Sequence, residues 1–497
     1  MISVSFRIVA DAFSTLFSLQ GIFLILLGTA LGIFVGAIPG LTGVMLIALV
    51  LPLTYTMDSH MALTLLIAIY VGAISGGMVT STLLRMPGTP ASIVTTFDGY
   101  PMAKKGQPER ALGLGVMASF VGGLISWCFL ILLAKPIAKL SLNFGPWEYF
   151  TLVLMALVLI ATIGGKSLSK SLFAGFLGIL LSMPGIAAAT GQTRLTFNLP
   201  ELNDGFKLLP VLIGLFAVNQ IFREIINNRK ANKSPAIHTK GAQIRLRDFK
   251  KHGVNMIRSS VIGTWIGLLP GIGANIGSVT SYAVAKSTSK TPEKFGTGHE
   301  DGVVAAESAN NATIGGALIP LVAMGIPGSV VEAVLLGALV VHGLQPGPRL
   351  FTESPSMVYT IMGATILANF AMAAIMLVSM KNLAKLAKIP LPYLMPLILA
   401  FCIIGAFALN NRMFDVWVML GFGLLGFFLE SKNIPLAPFV IGFVLGPIAE
   451  ENLTIALISE TSIFTRGISI VFIAVAVFML LLPIFKKMRN KSQMTSA

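Results

Sequence analysis

The chain reads GTWIGLLPGIGAN from Gly263 to Asn275, ESANNATIGG from Glu307 to Gly316 and GIPGS from Gly325 to Ser329. Carboxamides, hydroxyls and Pro-Gly pairs therefore interrupt sequence that is otherwise apolar. In a bilayer an unpaired backbone polar group is costly, so interrupted helices persist only where they line a cavity enclosed by protein. This stretch predicts interrupted helices around a solute site.

The composition of the whole chain predicts a membrane protein. Of 497 residues, 55% are hydrophobic and 11% charged, and the mean hydropathy is +0.85. Soluble domains carry about 25% charged residues. Apolar runs of about 20 residues recur along the chain, each long enough to cross a hydrocarbon core about 30 Å thick. We expect an all-α polytopic membrane protein surrounded by lipid.

The net charge of +15 has two readings. In a soluble protein it would indicate a nucleic-acid partner, whereas in a membrane protein it indicates basic cytoplasmic loops. We favour the second reading and expect no nucleic-acid partner. Cys128 and Cys402 both lie in apolar runs, so no disulfide framework is predicted.

Hydrophobic runs and charge divide the chain into five segments. The first has apolar residues at helical spacing, which is typical of an interfacial helix. The segments are an interfacial N-terminal part (1–20), a first transmembrane repeat (21–226), a basic cytoplasmic linker (227–258), a second transmembrane repeat with C-terminal helices (259–485), and a basic cytoplasmic tail (486–497).

Three blocks of sequence occur twice in the same order, which predicts an internal repeat. The number of residues that separates the two copies increases along the chain, because the polar loop near Lys286 is longer in the second copy. Gly32, Gly36, Pro39 and Gly40 recur as Gly263, Gly267, Pro270 and Gly271 at an offset of 231 (263 − 32), Gly76-Gly77 as Gly315-Gly316 at 239 (315 − 76), and Pro87-Gly88-Thr89 as Pro327-Gly328-Ser329 at 240 (327 − 87).

Charge placement predicts that the two repeats are inverted. With residue 20 placed outside, most lysine and arginine clusters fall on the cytoplasmic side, including the C-terminal tail, although Lys135 and Lys139 do not. The first repeat then enters from outside and the second from inside. Inverted repeats with discontinuous or re-entrant helices at matching positions are typical of secondary transporters, whose sites lie near the membrane midplane.

The candidate site residues lie at these breaks. Helix N-termini favour anions such as carboxylates, and exposed carbonyl and hydroxyl oxygens can hold a coupling cation. One Pro-Gly pair alone would indicate a packing kink, but the repetition in register favours a site. The substrate candidates are Gly40, Thr42, Gly88, Thr89, Gly271, Asn275, Ser308, Asn310, Asn311, Gly328 and Ser329, and the candidates for a sodium or proton site are Ser75, Glu307 and Thr313.

Two ionisable residues in this region have a structural reading as well. An ionisable group at membrane depth is a functional hypothesis by default. Glu307 is equally consistent with a helix start near a loop, and Glu332 stands at the capping-box position after Pro-Gly-Ser. We therefore include Glu307 in the site and interpret Glu332 as structural.

Other classes of function are less consistent with the sequence. A channel would also use broken helices. An intramembrane enzyme would need a catalytic or metal constellation, and the five histidines show no ligand spacing. Gly165-Lys166-Ser167 resembles the end of a phosphate-binding loop, but Ile160 stands where its first glycine is required. We expect no enzymatic activity, no metal site and no cofactor beyond the coupling ion.

Several blocks resemble the large membrane subunit of the tripartite tricarboxylate transporters, and the resemblance runs from about Gly21 to the 430s. They are PGLTG from Pro39, PGTPAS from Pro87, FDGYPMA from Phe97, PGIGAN from Pro270, ESANNA from Glu307 and GLQPGP from Gly343.

The resemblance implies a bacterial inner-membrane permease that works with a small transmembrane subunit and a periplasmic solute-binding protein. It further implies uptake of citrate or related carboxylates by alternating access, driven by a sodium or proton gradient and not by ATP.

Overall fold

The computed structural model describes residues 2–38, 40–163, 167–187, 190–227, 239–270, 273–386, 394–408, 410–459 and 462–495. Within these ranges the chain is helical apart from a short antiparallel hairpin, β1 (Gly185–Ile186) and β2 (Thr193–Arg194), in which Gly185 lies opposite Arg194.

The helices of the first half begin with α1 and end before the linker. They are α1 (Ile2–Leu16), α2 (Leu19–Gly36), α3 (Gly43–Thr54), α4 (Ser59–Leu84), α5 (Thr95–Lys104), α6 (Pro108–Ser141), α7 (Pro146–Ile163), α8 (Leu168–Ser182), α9 (Leu208–Ile213) and α10 (Asn219–Asn227). A 3-10 turn (Pro90–Ile93) precedes α5, and a π-helical turn (Gly214–Val218) joins α9 to α10.

The second half continues in the same way. Its helices are α11 (Leu246–Leu268), α12 (Gly273–Thr288), α13 (Glu300–Met324), α14 (Val330–Val341), α15 (Leu350–Glu353), α16 (Pro355–Leu386), α17 (Met395–Ala408), α18 (Met413–Ser431), α19 (Leu436–Ile458) and α20 (Gly467–Thr495).

Seven helices of the described chain are long and apolar enough to cross a membrane. They are Leu19–Gly36, Ser59–Leu84, Pro108–Ser141, Leu208–Ile226, Pro355–Leu383, Met413–Ser431 and Leu436–Ile458. Six shorter apolar helices of 10–17 residues accompany them. The prediction of an all-α polytopic membrane protein is confirmed.

Two helices form the centre of the molecule. Every residue of α4 from Met61 to Leu84 is buried, as is every residue of α13 from Gly302 to Ala323. Most residues of both helices are apolar or small on every face, as expected for helices enclosed on every side. The polar residues of α13 are therefore buried inside protein.

The helix α2 packs on α4, and α11 packs on α13, through equivalent glycine contacts. A Cβ placed on Gly32 of α2 would lie 2.3 Å from the carbonyl oxygen of Ile69, and one placed on Gly263 of α11 would lie 2.4 Å from that of Ala309. Small residues of this kind let helix backbones approach closely in membranes.

The reverse contacts fix the register of the repeat. A Cβ on Gly76 would lie 2.5 Å from the Ile33 carbonyl oxygen, and one on Gly316 would lie 2.3 Å from that of Thr264. Equivalent positions are thus 231 apart between α2 and α11 and 240 apart between α4 and α13 (316 − 76). The sequence match of Gly76-Gly77 with Gly315-Gly316 is one position out of register, since a glycine pair can be aligned in two ways.

The two halves are interlocked. Helix α6 packs on α13, and α16 packs on α4, so each central helix is covered by a helix of the other half. The indole nitrogen of Trp127 donates to the Met362 carbonyl oxygen at 2.9 Å, and the Asn369 side chain donates to the Phe120 carbonyl oxygen at 3.0 Å. Helices α7 and α8 likewise pack on α19, and α9 and α10 pack on α18.

Three of the predicted segments can be compared with the observed helices. Helix α1 packs on α16, where Leu16 is fully buried. Residues 228–238 of the basic linker lie outside the described residues, and its last part already belongs to α11, which begins at Leu246. The predicted tail continues α20 as far as Thr495.

Candidate functional site

The first break of each half separates two helices. Helix α2 ends at Gly36, Gly40 has a φ of +93°, and Thr42 caps α3 by accepting a hydrogen bond from the Met45 amide at 3.2 Å. In the second half α11 ends at Leu268, and α12 begins at Gly273, which has a φ of +67°. The predicted site residue Gly271 lies outside the described residues, as does Pro39.

The second break of each half follows the central helix. Helix α4 is closed by Arg85 with a φ of +56°, and α13 is closed by Gly325 with a φ of +71°. Thr89 then starts the 3-10 turn, and Ser329 starts α14 by accepting a hydrogen bond from the Val331 amide at 3.2 Å. Both breaks thus present new helix N-termini beside the central pair.

The two breaks of each half lie against one another. A Cβ on Gly88 would lie 2.1 Å from the Gly36 carbonyl oxygen, and one on Gly328 would lie 3.0 Å from the Gly267 carbonyl oxygen. A Cβ on Gly273 would also lie 3.4 Å from that of Ser329. The structure therefore brings the Pro-Gly breaks together within each half.

Glu307 lies at the centre of a buried polar cluster. Its carboxylate accepts hydrogen bonds from the Thr95 hydroxyl, from the Ser119 hydroxyl at 3.4 Å and from the Asn310 side chain at 3.5 Å. Glu307 is fully buried, and no cationic group of the described chain pairs with it. The donors come from α5, α6 and α13, so this carboxyl joins the two halves.

Asn311 extends the cluster to α4. The Ser75 hydroxyl donates to its side-chain oxygen at 2.6 Å, and its nitrogen donates to the Glu307 carbonyl oxygen at 3.3 Å. The Thr313 hydroxyl donates to the Asn310 carbonyl oxygen at 2.6 Å, within its own helix. Of the three predicted cation-site residues, Ser75 is thus linked through Asn311 to the main chain of Glu307, not to its carboxylate.

Three buried polar atoms of the predicted substrate residues have no hydrogen-bond partner in the described part of the chain. They are Thr89 Oγ1, Ser308 Oγ and Asn310 Oδ1. Buried polar groups in proteins are almost always paired, because an unpaired one costs about 1–3 kcal/mol. Two hydroxyl donors and one amide acceptor are therefore ready to bind a solute with oxygen atoms.

Not every predicted site residue belongs to this cluster. Asn275 is exposed on the first turn of α12. Asn275 is therefore the weakest of the substrate candidates.

Four polar residues at the site were not among the predicted ones. Thr95 and Ser119 donate to Glu307, and the Tyr70 hydroxyl donates to Glu332, which also accepts from Ser329. Tyr70 stands alone among apolar residues of α4, a signal that could have marked it, whereas Thr95 and Ser119 carry no local signal. Within the described residues, groups of three or more acidic, histidine or cysteine side chains that could hold a metal ion are absent.

Residues 22–441 match the family described as the tripartite tricarboxylate transporter TctA family. The chain belongs to this family. Membership identifies it as the membrane component of a transport system and confirms the resemblance of its polar blocks. The family is one of transporters and not of enzymes.

Two relatives from Agrobacterium vitis are similar to the TctA-family chain. One is described as an uncharacterized 52.8 kDa protein in the TAR-I ttuC' 3' region, and it is 35% identical over 446 residues, which cover 90% of this chain and 88% of the relative. The other, an uncharacterized protein in the TAR-II ttuC' 3' region, is 35% identical over 241 residues, 46% of this chain and 98% of the relative. No solved structure matches the chain.

One end of the TctA-family chain is closed by a charged cluster, here called the charged face: Arg110, Asp248, His252, Glu300 and Asp301. Arg110 donates to Asp248 Oδ1 at 2.7 Å and to Glu300 Oε1 at 2.7 Å. It thereby ties the first turns of α6, α11 and α13 together.

His252 completes the charged face. Its ring nitrogens lie 2.7 Å from Asp301 and 3.1 Å from Glu300. Burial alone would lower the pKa of His252, but the hydrogen bonds to the two carboxylates outweigh it, so the pKa is raised above its ordinary value. The two carboxylates therefore favour the charged form of His252, which would balance their own charge.

Asp98 fastens the first half to the loop before α13. Its Oδ1 accepts hydrogen bonds from the amides of Gly296 at 2.9 Å, Gly298 at 2.7 Å and His299 at 2.7 Å, and its Oδ2 accepts from the Tyr282 hydroxyl at 2.8 Å. Asp98 thus adds a second link between the two halves, next to Glu300 and Asp301 of the charged face.

Proposed function

We propose that this chain is the permease subunit of a binding-protein-dependent secondary transporter. It imports tricarboxylates of the citrate type, or related carboxylates, by symport with sodium or protons. One observation carries the proposal: the hydroxyls of Thr89 and Ser308 and the amide oxygen of Asn310 are buried without partners in the described chain. Hydroxyls and helix N-termini donate hydrogen bonds to carboxylates, and an amide oxygen accepts from a substrate hydroxyl or binds a cation.

The mechanism is alternating access between two half-sites. The N-terminal ends at Thr89 and Ser329 would bind carboxylate groups of the substrate, while Asn310 and Ser308 contact it from the central helix. Ser75 and Glu307, joined through Asn311, would hold the coupling cation. Because the breaks of the two halves are equivalent, either half can rearrange relative to the other around a common site.

Lysines beside the charged face give the proposed orientation: Lys105 donates to the Thr297 carbonyl oxygen at 2.7 Å and Lys251 to Glu300 at 2.5 Å. Basic residues concentrate on the cytoplasmic side of membrane proteins. We place Arg110 and the charged face, together with the C-terminus, on the cytoplasmic side of the bacterial inner membrane. Substrate would arrive from the opposite side on a periplasmic solute-binding protein, and a small transmembrane subunit would complete the complex.

Uptake of labelled citrate into proteoliposomes tests the proposal. The chain would be reconstituted with its small subunit, with or without the binding protein, and under a sodium or a pH gradient. We expect accumulation above the external concentration that requires the binding protein and a gradient. Mere equilibration, independent of any gradient, would instead indicate a channel.

Two variants test the site within this assay. Asn310→Ala with Asn311→Ala removes hydrogen bonds to a charged solute, each worth about 1.5–3 kcal/mol, so uptake should fall at least about tenfold. Asn143→Ala is the matched control, because its side chain is exposed and it is not a site candidate, and it should retain uptake. Equal rates in the double variant and the control, at equal amounts of assembled protein, would remove the site from the α13 cluster.

A further inference from the structure

Glu332 is a second buried carboxyl that joins the two halves. It lies in the first turn of α14 and is fully buried. The Tyr70 hydroxyl of α4 donates to Oε1, and the Ser329 hydroxyl donates to Oε2. Tyr70 is itself only 3% exposed, so this contact is shielded from water on both sides.

No cationic side chain of the described residues pairs with Glu332. Of the elements packed against α14, α3 and α9 carry titratable residues only at their caps, Tyr55 and Lys207. Titratable and charged residues on the others, including the helix caps, are His60, Tyr70, Asp58 and Arg85 on α4, His299, Glu300, Asp301 and Glu307 on α13, and Glu450 and Glu451 on α19, with His342 at the end of α14 itself. Only Tyr70 among these hydrogen-bonds to Glu332, and a lone buried carboxylate is costly enough that it tends to bind a proton.

The hydrogen bonds show where that proton would sit. Ser329 accepts from the Val331 amide at 3.2 Å and donates to Oε2. Oε2 is occupied as an acceptor by this bond, so a proton taken up by Glu332 would sit on Oε1. The hydrogen bond to Tyr70 would then reverse: the neutral carboxyl would donate to the Tyr70 oxygen, and the Tyr70 hydroxyl would have to turn to another acceptor.

The equivalent position in the first half shows that the carboxyl is not required for capping. With the offset of 240 between α4 and α13 extended to the break that follows, Ser92 corresponds to Glu332 (332 − 240) and Asn310 to Tyr70 (310 − 70). The Ser92 hydroxyl accepts from the Thr89 amide at 3.1 Å and so caps its turn. A hydroxyl thus suffices where the second half places a buried acid.

We propose that Glu332 is a proton-binding site of the transport cycle, separate from the Glu307 cluster. The carboxylate takes up a proton from one side, becomes a neutral acid hydrogen-bonded to Tyr70, and releases the proton to the other side when α4 and α14 separate. Because the contact joins the two halves, their relative movement changes the surroundings of Glu332. This inference rests on the proposed function and adds a coupled proton at Glu332 to the cation that Ser75 and Glu307 would hold.

Infrared difference spectroscopy tests proton binding without any substrate. Spectra of the wild-type protein in lipid at acidic and alkaline pH should show the carbonyl stretch of a protonated carboxyl, and part of it should be lost in Glu332→Gln. The Tyr70→Phe variant, which keeps the carboxyl and loses its partner, should retain the signal at a shifted midpoint. An unchanged carboxyl signal in Glu332→Gln overturns the proposal, whatever the protein transports.

Proton-driven transport provides the second measurement. In proteoliposomes, Glu332→Gln should lose accumulation driven by a pH gradient, and any remaining exchange of internal for external citrate should no longer depend on pH. Wild-type accumulation and proton flux in this variant would also overturn the proposal. If the wild type fails to move carboxylates at all, the proposed function fails, and the infrared result still decides the proton site.

Discussion

The segment from α2 to α5 and the segment from α11 to α14 share their glycine contacts and the left-handed end of their central helix, but they carry different side chains. A left-handed residue closes the central helix in both, but it is Arg85 in one and Gly325 in the other. Ser92 corresponds to Glu332, and Tyr70 to Asn310. Glycine contacts and helix breaks therefore set the shared geometry, while the substituted positions carry the polar chemistry. Positions at which the two halves carry different side chains, such as Ser92 and Glu332, therefore indicate where function should be sought.

The helices that follow these segments differ in the same way. Arg110 is the third residue of α6 and Met357 the third of α16, each two positions after the proline that begins the helix. Arg110 enters the charged face, whereas Met357 is 2% exposed in the apolar core. The packing of α6 on α13 is therefore reinforced by ion pairs, whereas the start of α16, which packs on α4, is buried in the apolar core.

The largest expected loss of stability comes from giving α6 the methionine that α16 has at the equivalent position. Arg110→Met leaves Asp248 and Glu300 without the guanidinium that they share. Removing one partner of a buried ion pair typically costs 3–5 kcal/mol, and since Arg110 is slightly exposed we expect about 3 kcal/mol. Thermal unfolding of the purified protein in detergent measures this loss. Lys135→Met is the control, since it removes the same charge from an exposed position of the same helix, and equal midpoints in the two variants would refute the ionic account.

The next effect compares the equivalent glycines of the second breaks. A Cβ on Gly88 would lie 2.1 Å from the Gly36 carbonyl oxygen, whereas one on Gly328 would lie 2.8 Å from the Ala317 Cβ and 3.0 Å from the Gly267 carbonyl oxygen. Overpacking costs about 1–3 kcal/mol, and backbone atoms yield less than side chains. Gly88→Ala should therefore lower the unfolding temperature more than Gly328→Ala, and the reverse order would mean that the second half is the tighter one.

Much of this comparison could be predicted from sequence, because proline, glycine and long apolar runs act locally. The Pro-Gly breaks, the internal repeat and the polar stretch of α13 all follow from such signals. Their exact alignment does not, since Gly76-Gly77 can be matched to Gly315-Gly316 or, one position later, to Gly316-Ala317. Backbone contacts were needed to choose the second.

The partners of the buried carboxyls could not be predicted. Thr95 and Ser119 reach Glu307 because α5 and α6 pack on the other half's central helix, an exchange that leaves no trace in hydrophobic periodicity. Glu332 has the spacing of a capping box, so sequence favours the structural interpretation. Only its burial and its contact with Tyr70 from the other half point to a further role.

The smallest expected effect concerns the left-handed residues that close the central helices. Gly325→Ala places a Cβ at a φ of +71° and 3.0 Å from the Pro346 carbonyl oxygen. A side chain in this region costs about 1–2 kcal/mol, so this variant should be destabilised by about that amount. Arg85→Gly removes the same strain from the first half. It also loses the stacking of Arg85 on the Tyr100 ring, 5.9 Å away, worth about 0.5–1 kcal/mol, and adds about 0.5–1 kcal/mol of backbone entropy cost.

The relief of strain nearly cancels the lost ring contact and the added entropy cost. The free energy of unfolding of Arg85→Gly should therefore lie within about 1 kcal/mol of the wild type. Arg85→Ala separates them, because it loses the ring contact and keeps the strained φ of +56°. Arg85→Ala should therefore be less stable than Arg85→Gly in the same thermal unfolding measurement. If Arg85→Ala instead matched Arg85→Gly, the left-handed backbone would cost no more at this position than the entropy of a glycine, about 0.5–1 kcal/mol. The first half would then differ from the second only in its contact with Tyr100, and the glycine of the second half would need another explanation.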